Sequence, residues 1–117
     1  MINSIHSATS GLMAFQKKTG VIADNVSNVQ TDNFKKSRVT MSQTANGGVA
    51  ANISQIQTPG IPREVIQDGR TEIIEGSNVD LAEELTEMIP TTTAYKANIK
   101  TIQAQEDFIG ALLDIIK

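Results

Sequence analysis

Two stripes of apolar residues, each repeating every seven positions, lie at opposite ends of the chain and constrain its fold most. The first stripe fills two heptad positions over residues 3–29, where only Thr19 is polar: Ile5, Ala8, Leu12, Phe15, Thr19, Ile22, Val26 and Val29. The second stripe spans residues 81–116: Leu81, Met88, Tyr95, Ile102, Ile109 and Ile116. Such repeats are typical of helices that pack along a seam. We therefore predict a mainly α fold, with N- and C-terminal helices pairing as an antiparallel coiled coil or bundle.

The ends of both helices are marked by polar residues. Residues 28–33 favour a turn, and Asn33 tolerates the left-handed conformation, so the first helix is expected to stop there. Asp80 is a good N-cap for the second helix, and Glu83 completes a capping-box pattern. Pro90 lacks the N–H that a helix interior needs, which predicts a kink or short break over residues 88–93.

The middle of the chain has a different pattern. Residues 46–48 (Asn-Gly-Gly) form a turn signal between residues 39–43 and 49–55, which predicts a short β-hairpin. Residues 71–74 are predicted as a third strand ended by Gly76. We expect a small β element leaning on the helices, and three segments, 1–38, 39–77 and 78–117, that together form one domain with its C-terminal helix kinked near Pro90.

Charge is unevenly distributed along the chain. Residues 1–38 carry five basic and two acidic side chains, whereas residues 63–87 carry eight acidic and two basic ones. Either these are solvated faces, or the basic front attracts the acidic segment within a chain or between neighbours. We favour solvated faces, because surface ion pairs typically contribute about 0–1 kcal/mol each.

Several classes of function lack support in the sequence. A net charge of −3 without a basic, aromatic stripe argues against nucleic-acid binding. The chain has no cysteine and a single histidine, His6, so we predict no catalytic residue, no cofactor, no metal site and no small-molecule substrate. Membrane insertion is not expected, because no apolar run approaches about 20 residues. The first residues lack the features of a cleaved signal peptide.

Motifs at both ends resemble one protein family. Residues 10–14 (SGLMA), 24–28 (DNVSN) and 31–35 (TDNFK) resemble the N-terminal motif of bacterial flagellar rod and hook proteins. Residues 75–85 (EGSNVDLAEEL) and 94–98 (AYKAN) are similar to the C-terminal signature of the same family. This sequence departs from the pattern at Asn33, which stands in place of a turn glycine, at Ser27, which stands in place of alanine, and at Pro90 with the three threonines that follow it.

The resemblance implies a structural subunit of the flagellar basal-body rod, and the short middle segment fits a proximal-rod-type member best. Proteins of this family pass through the type III export apparatus without a cleaved signal peptide. They assemble helically with copies of themselves and with other axial proteins, through their paired terminal helices. The expected location is therefore the flagellar basal body, and the expected activity is not enzymatic.

The residues expected to form subunit and helix seams combine the apolar stripes with three asparagines from the motifs. They are Leu12, Phe15, Ile22, Asn25, Val26, Asn28, Leu81, Leu85, Met88, Tyr95, Asn98, Ile102 and Ile109. A soluble helical adaptor, or a chaperone-like protein that binds partner helices, is the alternative function for the same stripes.

Overall fold

The computed structural model describes residues 2–116 and contains two long helices and four short strands. In chain order these are α1 (Ile2–Ser27), β1 (Ser37–Gln43), β2 (Val49–Gln55), β3 (Pro62–Gln67), β4 (Arg70–Glu75) and α2 (Leu81–Ile115). The molecule is elongated, with extents of 82 × 25 × 20 Å. Helix α2, whose 35 residues span about 52 Å at 1.5 Å per residue, accounts for the larger part of this length.

Helix α1 ends close to where the polar residues predicted. The turns after Ser27 lead to Asn33, which adopts a left-handed conformation with φ of 59°. An asparagine side chain tolerates this conformation, which explains how it replaces a glycine at this turn. The expectation for Asn33 is therefore confirmed.

Helix α2 begins as predicted but passes through its proline. The Asp80 side chain accepts hydrogen bonds from the backbone N–H groups of Ala82 and Glu83, at 2.9 and 3.2 Å. The helix is continuous from Leu81 to Ile115 with Pro90 inside it, so the predicted break is wrong. Packing of a long helix against α1 outweighs the loss of one backbone hydrogen bond at the proline. A bend of the helix axis there stays a prediction.

The predicted hairpin between β1 and β2 is confirmed. The strands pair antiparallel, with Val39 opposite Ile53 and Gln43 opposite Val49. The hairpin lies along α1, where the Ser10 hydroxyl accepts a hydrogen bond from the Val49 N–H at 3.0 Å. The Lys17 ammonium also donates to the Ala51 carbonyl at 3.2 Å.

A second hairpin, formed by β3 and β4, was only half predicted. Strand β4 contains the expected third strand, but β3 was not foreseen because its first residues include a proline and two charged side chains. The missed signal is the Asp68-Gly69 pair between the strands. Both residues have positive φ values, 52° and 74°, as a tight two-residue hairpin turn requires.

The prediction of a mainly α fold is wrong. The described chain combines two helices with two separate two-stranded antiparallel sheets, so that it is an extended mixture of α and β structure. The difference arises from the Asp-Gly turn, which turns a single expected strand into a full hairpin. Helices α1 and α2 nevertheless contact each other. The division into three segments that form one domain stays a prediction.

Candidate assembly interface

Helices α1 and α2 run antiparallel and meet through small and polar residues. Lys18 on α1 pairs with Glu87 on α2 at 3.1 Å, and Gly11 lies against the side chain of Asn98. A Cβ atom at Gly11 would stand 3.1 Å from the Asn98 Oδ1 atom, so a glycine lets the two helices approach closely. Thr91 of α2 is buried, with only 2% of its surface exposed.

The buried face of α2 is more polar than the stripes predicted. Glu84, Thr91 and Asn98 recur every seven residues on this face, and the first two are buried. The apolar stripe begins beside this buried face. Residues spaced by seven rotate by about 20° per heptad around a helix with 3.6 residues per turn, so the stripe changes its position relative to α1 along the helix. Leu81 is therefore 42% exposed, whereas Ile102, three heptads later, is half-buried.

The structure divides the thirteen predicted seam residues into two groups. Ten are buried or half-buried: Leu12, Phe15, Ile22, Asn25, Val26, Asn28, Met88, Tyr95, Asn98 and Ile102. Three are exposed: Leu81, Leu85 and Ile109. The side chains of the first group are positioned for packing within the chain, and those of the second group are accessible to another molecule. A role between subunits stays a prediction for all thirteen.

Asn25 connects α1 to the first hairpin. Its side-chain amide donates to the Ser37 carbonyl at 2.8 Å and accepts from the Ser37 N–H at 2.9 Å. Asn25 is 1% exposed, so both bonds are shielded from water. Asn28 instead bonds locally, to Asp24 and Thr31.

Ion pairs join basic side chains of residues 1–38 to acidic side chains of residues 63–87. Glu83 pairs with Lys36 at 2.5 Å and with Arg38 at 3.0 Å. The hydrogen bond from Lys36 holds the pKa of Glu83 below its ordinary value of 4.5. The interpretation that we favoured, solvated faces alone, is therefore incomplete. Glu83 also makes these bonds in place of the reciprocal bond of a capping box.

A crossing of loops joins both hairpins to the start of α2, with a geometry that no sequence pattern indicated. The Asn78 side chain accepts from the Lys36 N–H at 2.6 Å and donates to the Ile56 and Thr58 carbonyls at 2.9 Å. The only available signal was that Asn78 lies within the C-terminal motif, residues 75–85. This crossing fixes where α2 begins relative to β1.

The side chain of Glu75 also stabilises this crossing of loops. Its carboxylate accepts hydrogen bonds from the Lys35 ammonium and from the Gly60 N–H, the latter at 2.7 Å. The bond from Lys35, followed by that from Gly60, lowers the pKa of Glu75. The loops before β1 and before β3 are thereby tied to the end of β4.

The far end of α2 extends beyond α1 and is covered by nothing in the described chain. With Gly11 opposite Asn98, α1 continues nine residues past the crossing, to Ile2, whereas α2 continues seventeen, to Ile115. The excess of eight residues corresponds to about 12 Å. Large apolar side chains are exposed there by 36–80%: Phe108, Ile109, Leu112, Leu113 and Ile115.

No chemistry beyond assembly is suggested by the geometry of residues 2–116. Within that range no three acidic, histidine or cysteine side chains are grouped as metal ligands would be, and His6 is exposed. No helix in the range is long and apolar enough to span a membrane.

Comparison with protein families matches both ends of the chain. Residues 5–35 match the family described as "Flagella basal body rod protein". Residues 70–115 match "Flagellar basal body rod FlgEFG protein C-terminal". The chain belongs to the flagellar basal-body rod protein family. The two matched regions contain nearly all of α1 and α2, together with the turn after α1 and strand β4.

Two relatives illustrate how rod-family proteins vary in length. The chain is 51% identical over 55 residues to the flagellar basal-body rod protein FlgG of Bacillus subtilis, a match covering 44% of this chain and 21% of FlgG. It is 22% identical over 149 aligned positions to the flagellar basal-body rod protein FlgC of Borreliella burgdorferi, covering 100% of this chain and 98% of FlgC. The chain thus spans about a fifth of FlgG and nearly all of FlgC.

The family confirms the function expected from the motifs, a structural subunit of the flagellar basal-body rod. It implies a location in the flagellar basal body and assembly with other axial proteins. Rod-family proteins are structural rather than enzymatic. The matches give no support to the alternative of a soluble adaptor.

Proposed function

We propose that this rod-family subunit polymerises by burying the exposed apolar faces of α2 against neighbouring subunits. Each copy presents one such face at either end of its long helix. Near the start of α2, Leu81 and Leu85 are 42% and 51% exposed. At the far end, the projecting turns of α2 are apolar and exposed.

The observation that carries this proposal is the excess length of α2 over α1. Leu112 and Leu113 lie in turns that α1 does not reach, with 36% and 60% of their surface exposed. Burying apolar surface contributes about 25 cal/mol per Å², so a partner that covers these turns would be strongly favoured. A helix end of this kind fits a subunit that completes its packing in an assembly.

Two different apolar faces at opposite ends of an elongated molecule favour an open assembly. If the projecting end of one copy packs near the start of α2 in the next, the contact is heterologous and repeats without closing. A self-complementary patch would instead favour a closed dimer. The partners proposed are therefore further copies of this chain and other flagellar axial proteins.

Export of the subunit through the type III apparatus, without a cleaved signal peptide, belongs to the same proposal. Its support is the family resemblance of the two terminal motifs. We infer that the polymer assembles only after export, because a rod-length polymer could not pass through a narrow export channel.

The decisive variant is Leu113→Asp, since Leu113 is exposed and its replacement leaves the packing within one chain intact. We expect normal synthesis and export of this variant, with its amount in isolated basal bodies reduced at least tenfold. Gln103→Asp, which adds the same charge at an exposed polar position of α2, serves as the matched control. Ile102→Asp is also expected to block incorporation, but Ile102 is half-buried, so its effect includes the seam within the chain. Wild-type levels of Leu113→Asp in basal bodies would contradict the proposal.

A further inference from the structure

The β3–β4 hairpin stands apart from the rest of the described chain. Neither strand packs against a helix or against the β1–β2 sheet. The hairpin is held at its root, by an ion pair of 2.8 Å between Arg63 and Asp32, by a 2.8 Å hydrogen bond from the Asn33 N–H to the Glu75 carbonyl, and by the bonds that the Glu75 carboxylate accepts from Lys35 and Gly60. Because isolated two-stranded hairpins are marginally stable in water, a partner that covers this one would stabilise it.

One face of the hairpin combines exposed apolar side chains with an unpaired acid. Strand register places Glu64 directly opposite Ile73 and Ile66 directly opposite Thr71, so all four share this face. Ile66 and Ile73 are 77% and 70% exposed. Glu64 is exposed as well and forms no ion pair with any described residue.

The outer flank of α2 has the complementary pattern. Leu85, Ile89 and Lys96 follow one another at spacings of four and seven residues, which places them on one side of the helix. Leu85 and Ile89 are 51% and 68% exposed. Lys96 is exposed and pairs with no acid of the described chain. The flank thus presents two apolar side chains and a base, whereas the hairpin face presents two apolar side chains and an acid.

We propose that the β3–β4 hairpin of one copy docks on the outer flank of α2 in a second copy. In this contact Ile66 and Ile73 cover Ile89 and the adjoining side of Leu85, whose other side belongs to the face with Leu81, and Glu64 faces Lys96. The opposite charges fix the orientation of a contact whose apolar part is non-directional.

The contact is assigned between copies, because neither strand of the hairpin contacts α2 of its own chain. The Arg63–Asp32 ion pair and the bond from Lys35 to Glu75 fix the root of the hairpin to the rest of its own chain. Hairpin and helix flank are different surfaces, so the contact is heterologous and repeats along an assembly. The inference therefore rests on the proposed polymerisation and adds a second set of contacts to it.

Disulfide cross-linking tests the contact directly, since the natural chain has no cysteine. Ile66→Cys and Ile89→Cys are introduced together into the full chain, which replaces the natural protein in cells. Mild oxidation of isolated basal bodies should yield disulfide-linked multimers of this chain. The matched control combines Ile66→Cys with Met13→Cys, since Met13 is 64% exposed but lies on α1. Neither this control nor the single-cysteine chains should give such multimers.

Charge exchange tests the orientation of the same contact. In the Ile66→Cys, Ile89→Cys background, Glu64→Lys or Lys96→Glu should lower the disulfide yield several-fold, and the two changes together should restore it. Failure of the combined change to restore the yield would overturn the assigned ion pair.

The outcomes separate this inference from the proposed function. Normal incorporation of the double-cysteine chain without a disulfide between copies would overturn the docking and leave the rod function intact. A cysteine can also be placed in a different basal-body protein. A disulfide between this chain and that cysteine would overturn the assignment of a second copy as the partner. Absence of the wild-type chain from basal bodies would overturn both.

Discussion

The side chain of Asn25 and the backbone of Ser37 form a reciprocal pair of hydrogen bonds, 2.8 and 2.9 Å long, inside the protein. The asparagine amide thereby takes the place of a neighbouring strand at the start of β1. Asn25 lies in the last turn of α1, so this pair fixes the direction in which the chain leaves the helix. The N-terminal motif that signals rod-family membership thus has a structural purpose within a single chain.

Asn25→Ala is expected to lower the free energy of unfolding by about 2–4 kcal/mol, since it leaves two buried backbone groups of Ser37 unsatisfied. Urea denaturation followed by circular dichroism measures the change. Asn28→Ala is the comparison, because the Asn28 side chain bonds only within its own turn; about 0.5–1.5 kcal/mol is expected there. Equal losses of unfolding free energy in the two variants would show that the Asn25–Ser37 pair stabilises the fold no more than the local bonds of Asn28 do.

Two glycine substitutions should act in opposite directions. A Cβ atom at Gly60 would run into the Gly76 carbonyl, a backbone group that cannot move aside, so Gly60→Ala should destabilise the loop crossing. At Gly20, inside α1, an added Cβ meets nothing within 4 Å, and Gly20→Ala should stabilise the chain by about 1 kcal/mol through helix propensity. Thermal melting of both variants beside the wild type provides the measurement. A Gly60→Ala chain as stable as the natural one would contradict the close crossing.

Acid should weaken the contacts that join the two halves of the chain. Glu75 and Glu83 both have pKa values below the ordinary 4.5, mainly because of hydrogen bonds from Lys35 and Lys36. A carboxyl group whose pKa is lower in the folded state stabilises that state above the unfolded pKa. This contribution is lost as the pH falls through the lowered value. Stability should therefore fall below about pH 4.5, the ordinary glutamate value.

Glu83→Gln is the variant that isolates part of this acid dependence. It should reduce stability at neutral pH and flatten the decline between about pH 5 and 3, because the variant has no carboxyl group to protonate there. Urea midpoints measured across that interval provide the check. The matched control is Glu64→Gln, the same substitution at an exposed position outside the ion pairs of the described residues, and it should keep the wild-type stability at neutral pH. An unchanged slope in Glu83→Gln would show that the Lys36 contact does not stabilise the fold.

Local signals in the sequence were sufficient where one residue determines one feature. The Asp80 cap, the left-handed Asn33 and the first hairpin with its Asn-Gly-Gly turn all depend on chemistry within a few positions. The family motifs likewise indicated the function, because they are local patterns at both ends of the chain.

Features that depend on distant contacts were not accessible in the same way. The rotation of the α2 stripe could be determined only once Asn98 was known to meet Gly11, since a heptad pattern fixes a face and not its partner. The crossing at Asn78 joins residues more than forty positions apart with bonds that no spacing predicts. The second hairpin differs, because its Asp-Gly turn was a local signal that went unused.

Pro90 is the position where sequence rules and structure conflict most. Pro90→Ala restores a backbone donor to the carbonyl of Thr86 in a continuous helix, so the free energy of unfolding should rise by up to about 3 kcal/mol. The hydroxyls of Thr91 and Thr93 bond to the Glu87 and Ile89 carbonyls, so neither of them replaces the bond to Thr86 that Pro90 lacks. Thermal melting of Pro90→Ala is compared with that of Glu87→Ala, which removes the ion pair to Lys18 from the preceding turn and should slightly lower stability. A Pro90→Ala chain that melts below the wild type would mean that the proline shapes the seam with α1, and that a bend there outweighs the regained hydrogen bond.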